Sequence, residues 1–310
     1  MNTYSRLFLH YFRVSTSLLG AVFFSLFFIP QVTVATDLSA NTAELESMAR
    51  PLVVLVPPDV LDQYHIYLAG RSPLDIETFS GLGASRVLAE LILLHQALAL
   101  GGCKRTIELQ PVGDYRRMLA LLNEGKADLR GLSVWREDVA VVPGGLLLSA
   151  PLFREGEYEA GFYTNTSNKG ALKATNLDQL KRLSAVSNNN WTVDWRTLES
   201  MGLSYLYHNG SYLAMVKMVY SERADFMLAP FPGGDDLTLN LKGLTLEPIP
   251  GIKVALQGSR HWVASRRGAA AFDALEKGLA QLREGGMLEK AFVEAGVFNA
   301  AVHDWDIVNR

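Results

Sequence analysis

Hydrophobic and polar positions along this chain of 310 residues repeat one arrangement twice. In residues 118–129 an apolar helical ridge ends in a polar turn, and a basic–Ala–Asp sequence then leads into a run with the length of a short buried strand. The same order returns in residues 215–226, so that Asp128 and Asp225 occupy equivalent positions. Either this is a unit that any α/β protein contains, or the chain has two similar α/β lobes.

The first half of the chain alternates strand and helix patterns. Residues 51–56 are a β-branched run closed by two prolines, which predicts a central strand followed by an open loop. Residues 84–100 are apolar on nearly all faces and are followed by two glycines, as expected of a helix packed on a sheet. Strands at 106–110 and from 127 onward flank a predicted helix over 115–123. The pattern therefore predicts parallel βαβ units.

The second half returns to the same alternation. Residues 157–164 and 184–186 are predicted strands, and a helix is expected over residues 193–201. The tail predicts two more helices, over residues 269–283 and 287–295, which are separated by a pair of glycines. The chain as a whole is thus expected to belong to the α/β class.

Residues 1–35 are arranged like a targeting segment. Two arginines and no acidic residue accompany an apolar run over residues 18–29, and small residues follow around Ala35. This order predicts a secretory signal peptide cleaved near Ala35, which would place the mature chain outside the cytoplasm. A membrane anchor is the alternative, although the run is shorter than the roughly 20 residues that span a bilayer. Residues 36–49 are polar and small, which predicts a flexible leader.

Composition and motifs narrow the possible functions. The net charge is −3, and loss of the two N-terminal arginines would make the mature chain more acidic, so neither nucleic acid nor a membrane surface is expected as a partner. Cys103 is the only cysteine, which excludes an intrachain disulfide and favours a half-buried structural thiol. The histidines lack metal-ligand spacing, and the glycines form neither a nucleophile elbow nor a dinucleotide fingerprint. We therefore predict no metal, no cofactor and no catalytic residue.

Several short motifs occur in the order and spacing of one known family. They are Gly125-Lys126-Ala127-Asp128, Gly131-Leu132-Ser133, Leu148-Ser149-Ala150-Pro151-Leu152-Phe153, Leu177-Asp178-Gln179-Leu180, Glu222-Arg223-Ala224-Asp225-Phe226, and the segment from Phe272 to Leu288. Through them the chain resembles the type II periplasmic solute-binding proteins, and within these the extracellular solute-binding protein family 3 of amino-acid ABC importers. The likeness covers nearly all of residues 50–298.

The resemblance implies a two-lobed type II fold. Each lobe would be a mixed sheet flanked by helices, and two crossover hinge segments would join the lobes. Lobe 1 would consist of residues 50–153 and 252–310, and lobe 2 of residues 154–251. In this family a ligand is held in the cleft while the lobes close around it.

The function that the resemblance implies is that of an exported, periplasmic, monomeric binding protein. It would capture a small polar or anionic solute, amino-acid-like or an organic acid, for the permease of an ABC importer. A sensor protein that contacts a signalling receptor is the first alternative. The second is a periplasmic enzyme of the same fold, which would turn over its ligand.

The family pattern points to particular cleft residues. In amino-acid-binding relatives an arginine that follows the Ser motif clamps the ligand carboxylate. Arg136 follows Ser133 by three residues where the family has five, so Arg136 either serves from a shifted position or is a surface residue. Pro230 stands where the family has an acid for the ligand ammonium. Asp235 and Asp236 would substitute only if their loop folds back.

Other candidates follow from local geometry. The polar loop over residues 187–192 precedes a predicted helix, and free N–H groups at a helix N-terminus favour an anion, although ordinary capping is the alternative. Aromatic side chains in loops can stack on a ligand or pack in the core. The complete set of predicted ligand-binding residues is Tyr64, Ser133, Trp135, Arg136, Ser187, Asn189, Asn190, Trp191 and Phe231.

Overall fold

The computed structural model describes residues 50–310, and the predicted signal peptide and leader lie outside these residues. No helix in this range is both long and apolar enough to cross a membrane. The strands are β1 (Leu52–Val56), β2 (Ile107–Pro111), β3 (Leu129–Arg130), β4 (Val134–Trp135), β5 (Leu147–Leu148), β6 (Glu159–Asn165), β7 (Ser184–Ser187), β8 (Tyr205–His208), β9 (Met227–Ala229), β10 (Leu239–Leu241), β11 (Leu244–Ala255), β12 (Arg260–His261), β13 (Val263–Ala264) and β14 (Asp306–Ile307).

Helices cover these strands. The α-helices are α1 (Pro58–Leu68), α2 (Arg86–Leu100), α3 (Tyr115–Asn123), α4 (Arg136–Ala140), α5 (Leu177–Leu180), α6 (Thr192–Ser200), α7 (Tyr212–Tyr220), α8 (Ala269–Glu284) and α9 (Met287–Glu294). Short 3₁₀ turns at Pro73–Asp75, Ala171–Lys173, Arg266–Gly268 and Ala300–Val302 complete the secondary structure of the described range.

The first sheet has the strand order β2-β1-β3-β13-β5. Strand β1 pairs in parallel with both β2 and β3, as the βαβ pattern predicts, and β13 pairs antiparallel with β3 and β5. Helices α2 and α8 pack so closely that a β-carbon added at Gly278 would lie 1.8 Å from the carbonyl oxygen of Ala97. Cys103 is half-buried just beyond α2, as the sequence suggests.

The second sheet has the order β10-β11-β6-β9, with β14 paired in parallel to β11. Strand β6 pairs antiparallel with both β11 and β9. Strands β7 and β8 form a separate parallel pair, and a bridge between Ala185 and Phe226 connects this pair to the segment before β9.

The chain passes between the two sheets twice. The outward passage lies between β5 and β6, and the return passage lies between β11 and β13. The amide of Gly156 donates to the carbonyl of Leu256 at 3.0 Å, and the amide of Leu256 donates to the carbonyl of Tyr158 at 2.8 Å. The two passages therefore run side by side. The boundaries of the lobes at residues 153 and 251 remain a prediction.

The repeated sequence unit forms equivalent contacts in both halves. The Asp128 carboxylate accepts the amide of Val53 at 2.9 Å, and the Asp128 amide donates to the carbonyl of Val53. In the second copy the Asp225 carboxylate accepts the amide of Ser184 at 2.8 Å, and the Asp225 amide donates to the carbonyl of Ser184. In each case the aspartate joins the start of one strand to its neighbour, so the repeat is structural.

The open loop predicted after β1 is wrong. Residues 58–68 form helix α1, which begins with Pro58 at its first position. A proline is favourable there, because its ring fixes φ near the helical value and the missing N–H would have no helical partner. The proline pair was therefore a helix start, and Tyr64 lies on a helix instead of a loop.

Candidate functional site

A cluster of buried charged side chains lies beyond the end of β3, where the two passages meet the first sheet. The guanidinium groups of Arg130 and Arg260 contact Ser133 directly. Arg86 reaches the same serine through the Glu90 carboxylate, and we call the three arginines the arginine cluster. Arg260 donates from Nε to the Ser133 hydroxyl and from Nη2 to the Ser133 carbonyl, both at 2.9 Å. Arg130 donates to the same carbonyl at 2.8 Å. Two guanidinium groups thus contact one serine, and the third binds the carboxylate next to it.

Glu90 is the fully buried counter-ion of this cluster. Its carboxylate accepts the Arg86 guanidinium at 2.5 Å, the Ser133 amide at 2.8 Å and the Ser133 hydroxyl at 2.7 Å. Burial alone would raise the pKa of Glu90, but Arg86, Arg260 and the hydrogen bonds from Ser133 hold the pKa below its ordinary value. Glu90 is therefore ionised at neutral pH.

Arg130 carries a donor that the described residues do not satisfy. The residue is 6% exposed, and its Nη1 donates to the carbonyls of Leu132 and Ser133 at 2.6 and 2.8 Å. Its Nε is buried and has no hydrogen-bond partner in the described range. The guanidinium lies 5.0 Å from the centre of the Tyr115 ring. Burial lowers the pKa of Arg130 to about 10, so the group stays protonated at neutral pH.

Two aromatic rings form a wall beside the arginine cluster. The Trp135 and Tyr158 rings lie 5.7 Å apart and perpendicular to each other. The Arg260 guanidinium carbon lies 4.5 Å from the centre of the Trp135 ring and 5.8 Å from that of Tyr158. Trp135 belongs to β4, which pairs with β12 of the return passage, and Tyr158 belongs to the outward passage, so the wall lies where the two passages meet.

The loop before α6 and the first residue of that helix contact helices α3 and α4. The Thr192 hydroxyl donates to the Asp138 carboxylate at 3.2 Å, and the Tyr115 hydroxyl donates to the same carboxylate at 2.8 Å. Arg116 donates to the side-chain carbonyl of Asn190 at 2.7 Å. The N-terminus of α6 therefore lies against helices α3 and α4, next to the arginine cluster.

Asp194 brings a carboxyl group from the first turn of α6 to this region. Burial raises the pKa of Asp194 to about 6; the nearby Asp138 adds to the increase and Arg260 opposes it. Since Arg260 affects the pKa of Asp194, the carboxyl of α6 is within electrostatic range of the arginine cluster.

We expect Asp194→Asn to stabilise the protein at neutral pH. The raised pKa means that the contribution of Asp194 to folding stability is fully present below the unfolded pKa of about 3.9 and is lost as pH rises through about 6. Asparagine stays neutral, so the melting temperature of the variant should exceed that of the wild type at about pH 7.5 and equal it at about pH 4. Calorimetry at both pH values measures this, with the exposed Asp178→Asn as control. A constant difference across pH would contradict the raised pKa of Asp194.

The structure brings some of the predicted residues to the arginine cluster. Ser133 and Trp135 both contact Arg260 of this cluster. Asn190 contacts Arg116 in helix α3. Arg136 is exposed, and its backbone amide donates to the carbonyl of Ser259 at 3.0 Å. The surface position matches the second of the two interpretations that the sequence allowed for Arg136.

The other predicted residues are more distant from the arginine cluster. Ser187 is buried at the end of β7, the exposed Asn189 donates its amide to a ring nitrogen of His208, and Trp191 packs beside Tyr212. These contacts keep the three residues along the loop that precedes α6.

Tyr64 and Phe231 are core residues. Tyr64 is 3% exposed and stacks on His95 with ring centres 5.8 Å apart. Phe231 is 7% exposed and packs against Trp305 at 5.6 Å. For both residues the structure shows core packing, which the sequence allowed as the alternative to stacking on a ligand.

All the charged residues that form the arginine cluster lie outside the predicted set, namely Arg86, Arg130 and Arg260, together with their counter-ion Glu90. One signal for them is visible in the sequence: Arg86 and Glu90 stand four positions apart in a helix that is otherwise almost entirely apolar. A charged pair at helical spacing on a buried helix indicates a polar site, because isolated charges are too costly to bury.

Within residues 50–310, no group of three or more His, Cys, Asp or Glu side chains has the arrangement of a metal site. A pocket of about 900 Å³ lies elsewhere, between α9 and the C-terminal segment. Two of its cations are already paired, Arg154 at 3.3 Å from the Glu157 carboxylate and Lys253 at 2.7 Å from that of Glu159. The unpartnered Arg130 Nε therefore makes the arginine cluster the better candidate for a polar ligand.

No protein-family model and no curated protein matches the chain by sequence. Solved structures do match. The probable amino-acid ABC transporter extracellular-binding protein ytmK from Bacillus subtilis is 12% identical with a TM-score of 0.51, over 79% of this chain and 97% of that one. The amino acid ABC transporter substrate-binding protein AbpA from Streptococcus pneumoniae is 17% identical with a TM-score of 0.48, over 84% of this chain and 99% of that one.

The similarity to the Bacillus subtilis structure establishes the fold. The chain has the two-lobed α/β fold of the type II solute-binding proteins, with mixed sheets flanked by helices. The fold that the sequence motifs imply is therefore confirmed, and the arginine cluster lies where the two passages between the sheets meet the first sheet.

Proposed function

We propose that this protein binds a small polar or anionic solute between its two lobes, at the arginine cluster. The observation that carries the proposal is the buried Arg130 Nε, which lacks a partner among the described residues. Leaving such a donor unsatisfied costs about 1–3 kcal/mol, and a ligand acceptor would recover that loss. A carboxylate is the natural acceptor, because it matches the planar fork of a guanidinium.

The charges on the two sides of the site suggest how the solute is oriented. Three guanidinium groups lie on the side of the first sheet and would face the carboxylate. Asp194 and the free N–H groups at the start of α6 lie on the other side. Asp194 would accept a ligand ammonium in place of the family's acid, whose position Pro230 occupies. We therefore propose an amino-acid-like solute, with an organic acid as the alternative.

The cellular role follows from the fold and from the N-terminal sequence pattern. We propose an exported, monomeric, periplasmic protein that delivers its solute to the permease of an ABC importer. A sensor role, with a signalling receptor as partner, differs only in the membrane protein that recognises the closed form. Both roles use ligand-dependent closure, in which the solute favours the closed state by binding it more tightly.

The experiment that tests the proposed site is a thermal-shift screen of residues 36–310 against amino acids, organic acids, polyamines and sugars. A solute at 100 times its dissociation constant adds about 2.7 kcal/mol of stability, a shift of a few degrees. For the solute that binds, Arg130→Gln should weaken affinity about 10- to 100-fold, because a charge-assisted hydrogen bond contributes roughly 1.5–3 kcal/mol. Titration calorimetry measures this loss.

Arg136→Ala is the matched control, since it removes an exposed guanidinium from the same region. Unchanged affinity in this variant would support the arginine cluster. The reverse result, with affinity lost in Arg136→Ala and kept in Arg130→Gln, would assign the carboxylate to Arg136 instead.

An enzymatic role is the second candidate, and Asp194 is the observation that favours it. A carboxyl group with a pKa of about 6 in a ligand cleft is suited to general acid catalysis near neutral pH. Incubation of the protein with the solute that binds, followed by mass spectrometry, separates the two candidates. A binding protein returns the solute intact, whereas an enzyme releases a product.

A further inference from the structure

Arg260 has an unusual place in the fold. It lies in β12, on the return passage, and its backbone is fixed to the outward passage. Its amide donates to the carbonyl of Phe153 at 2.9 Å, and its carbonyl accepts the amide of Leu152 at 2.8 Å. The fold therefore determines where the side chain projects, which is toward Ser133 and the aromatic wall of Trp135 and Tyr158.

The groups around the Arg260 guanidinium are those that recognise a planar cation. Trp135 offers a ring face at 4.5 Å, and Tyr158 closes the perpendicular side. The hydroxyl and carbonyl of Ser133 accept the Nε and Nη2 protons at 2.9 Å. The fully buried carboxylate of Glu90 supplies negative charge nearby. Each of these residues comes from a different part of the chain than Arg260 does.

We propose that Arg260 occupies a guanidinium-binding site with a side chain of the protein itself, and that this resident cation determines the charge of the solutes that the cleft accepts. The inference rests on the proposed function only in placing the solute at the arginine cluster. With its own cation in position, the place between Ser133 and the aromatic wall of Trp135 and Tyr158 is closed to the cationic end of a solute.

The electrostatic consequence is a specificity rule. A solute cation beside Ser133 would meet the guanidinium groups of Arg130 and Arg260 and would be repelled, whereas a carboxylate would be attracted. Removal of the Arg260 guanidinium would leave Trp135, Tyr158 and the Ser133 acceptors open to an external cation. The preference for anions is thus predicted to depend on Arg260.

The test is chemical rescue. Arg260→Ala removes the atoms that ethylguanidinium contains, so this compound can restore the lost contacts. We expect millimolar ethylguanidinium to raise the melting temperature of Arg260→Ala by a few degrees and to leave the wild type unchanged. N-Ethylurea has the same shape without the charge and should have a much smaller effect. Arg136→Ala, which removes an exposed guanidinium, should not respond to either compound.

Arg260→Ser provides a second variant with a small polar side chain. If neither variant folds alone, refolding from urea with each compound gives the answer, since recovery with ethylguanidinium but not with N-ethylurea supports the inference. Equal stabilisation of the wild type, or no selective effect on either variant, overturns it. This result is independent of the solute screen on the wild type, so the inference and the proposed function can fail separately.

Discussion

Replacement of Glu90 by alanine is expected to lower the free energy of unfolding by about 3–5 kcal/mol, because it leaves buried cations without their counter-ion. Glu90 is 0% exposed and accepts three hydrogen bonds, one from Arg86 and two from Ser133. The variant would also leave the Ser133 amide without an acceptor. Urea unfolding followed by circular dichroism measures the change, and the loss should appear as a lower midpoint.

Two further variants serve as controls for the Glu90→Ala measurement. Glu284→Ala removes an exposed glutamate from helix α8 and should change stability by less than about 0.5 kcal/mol. Glu90→Gln keeps the shape and one acceptor oxygen but removes the charge, so its loss reports the electrostatic part. If Glu90→Ala costs no more than Glu284→Ala, the guanidinium groups are hydrated in solution and the arginine cluster is not a buried site.

The fold could be predicted because local patterns of apolar and polar residues indicate its elements and the order of short motifs indicates its family. Apolar runs bounded by prolines and glycines locate β1 and helix α2, and the order of the motifs implies the two-lobed fold. The incorrect loop after β1 shows the limit of such reasoning. A Pro-Pro pair is compatible with both a loop and a helix start, and burial of residues such as Tyr64 decides between them.

The candidate site was only partly predictable. Ser133 and Trp135 were found because they lie next to a recognisable motif. Arg130 lies three residues before Ser133, whereas Arg260 and the Arg86–Glu90 pair are distant in the sequence, and only the tertiary structure brings them to this serine. The family spacing directed attention to Arg136, but its side chain is at the surface, and the buried guanidinium groups reach the same region from other elements.

Asp128→Ala is expected to be the second severe substitution, with a loss of about 3–5 kcal/mol, because it also removes a fully buried counter-ion. Its carboxylate accepts both terminal nitrogens of Arg50 at 2.8 and 2.6 Å, Arg105 at 3.3 Å and the amide of Val53 at 2.9 Å. The substitution would remove the counter-ion of three arginines, since Arg267 also lies 3.6 Å from the carboxylate, and would detach the start of β1 from β3.

The repeat supplies an internal comparison for this prediction. Asp225 makes the same strand contact, but it is half-buried and its partners, Ser184 and Asn168, are neutral. Asp225→Ala should therefore cost only about 1–3 kcal/mol. Asp178→Ala removes an exposed aspartate whose pairing with Lys181 contributes at most about 1 kcal/mol.

The pH dependence distinguishes lost charge from lost packing at Asp128. Burial would raise the pKa of its carboxyl, but the hydrogen bonds from Arg50 and Val53 hold the pKa below its ordinary value. Its contribution is therefore present above the unfolded pKa of about 3.9 and is lost as pH falls through the folded pKa. Urea unfolding of both proteins should show the gap between wild type and Asp128→Ala shrinking on acidification from about pH 7 to about pH 3. A gap that does not change with pH would mean that Asp128 stabilises its strand through shape alone, and the charge around Arg50 would then be irrelevant to folding.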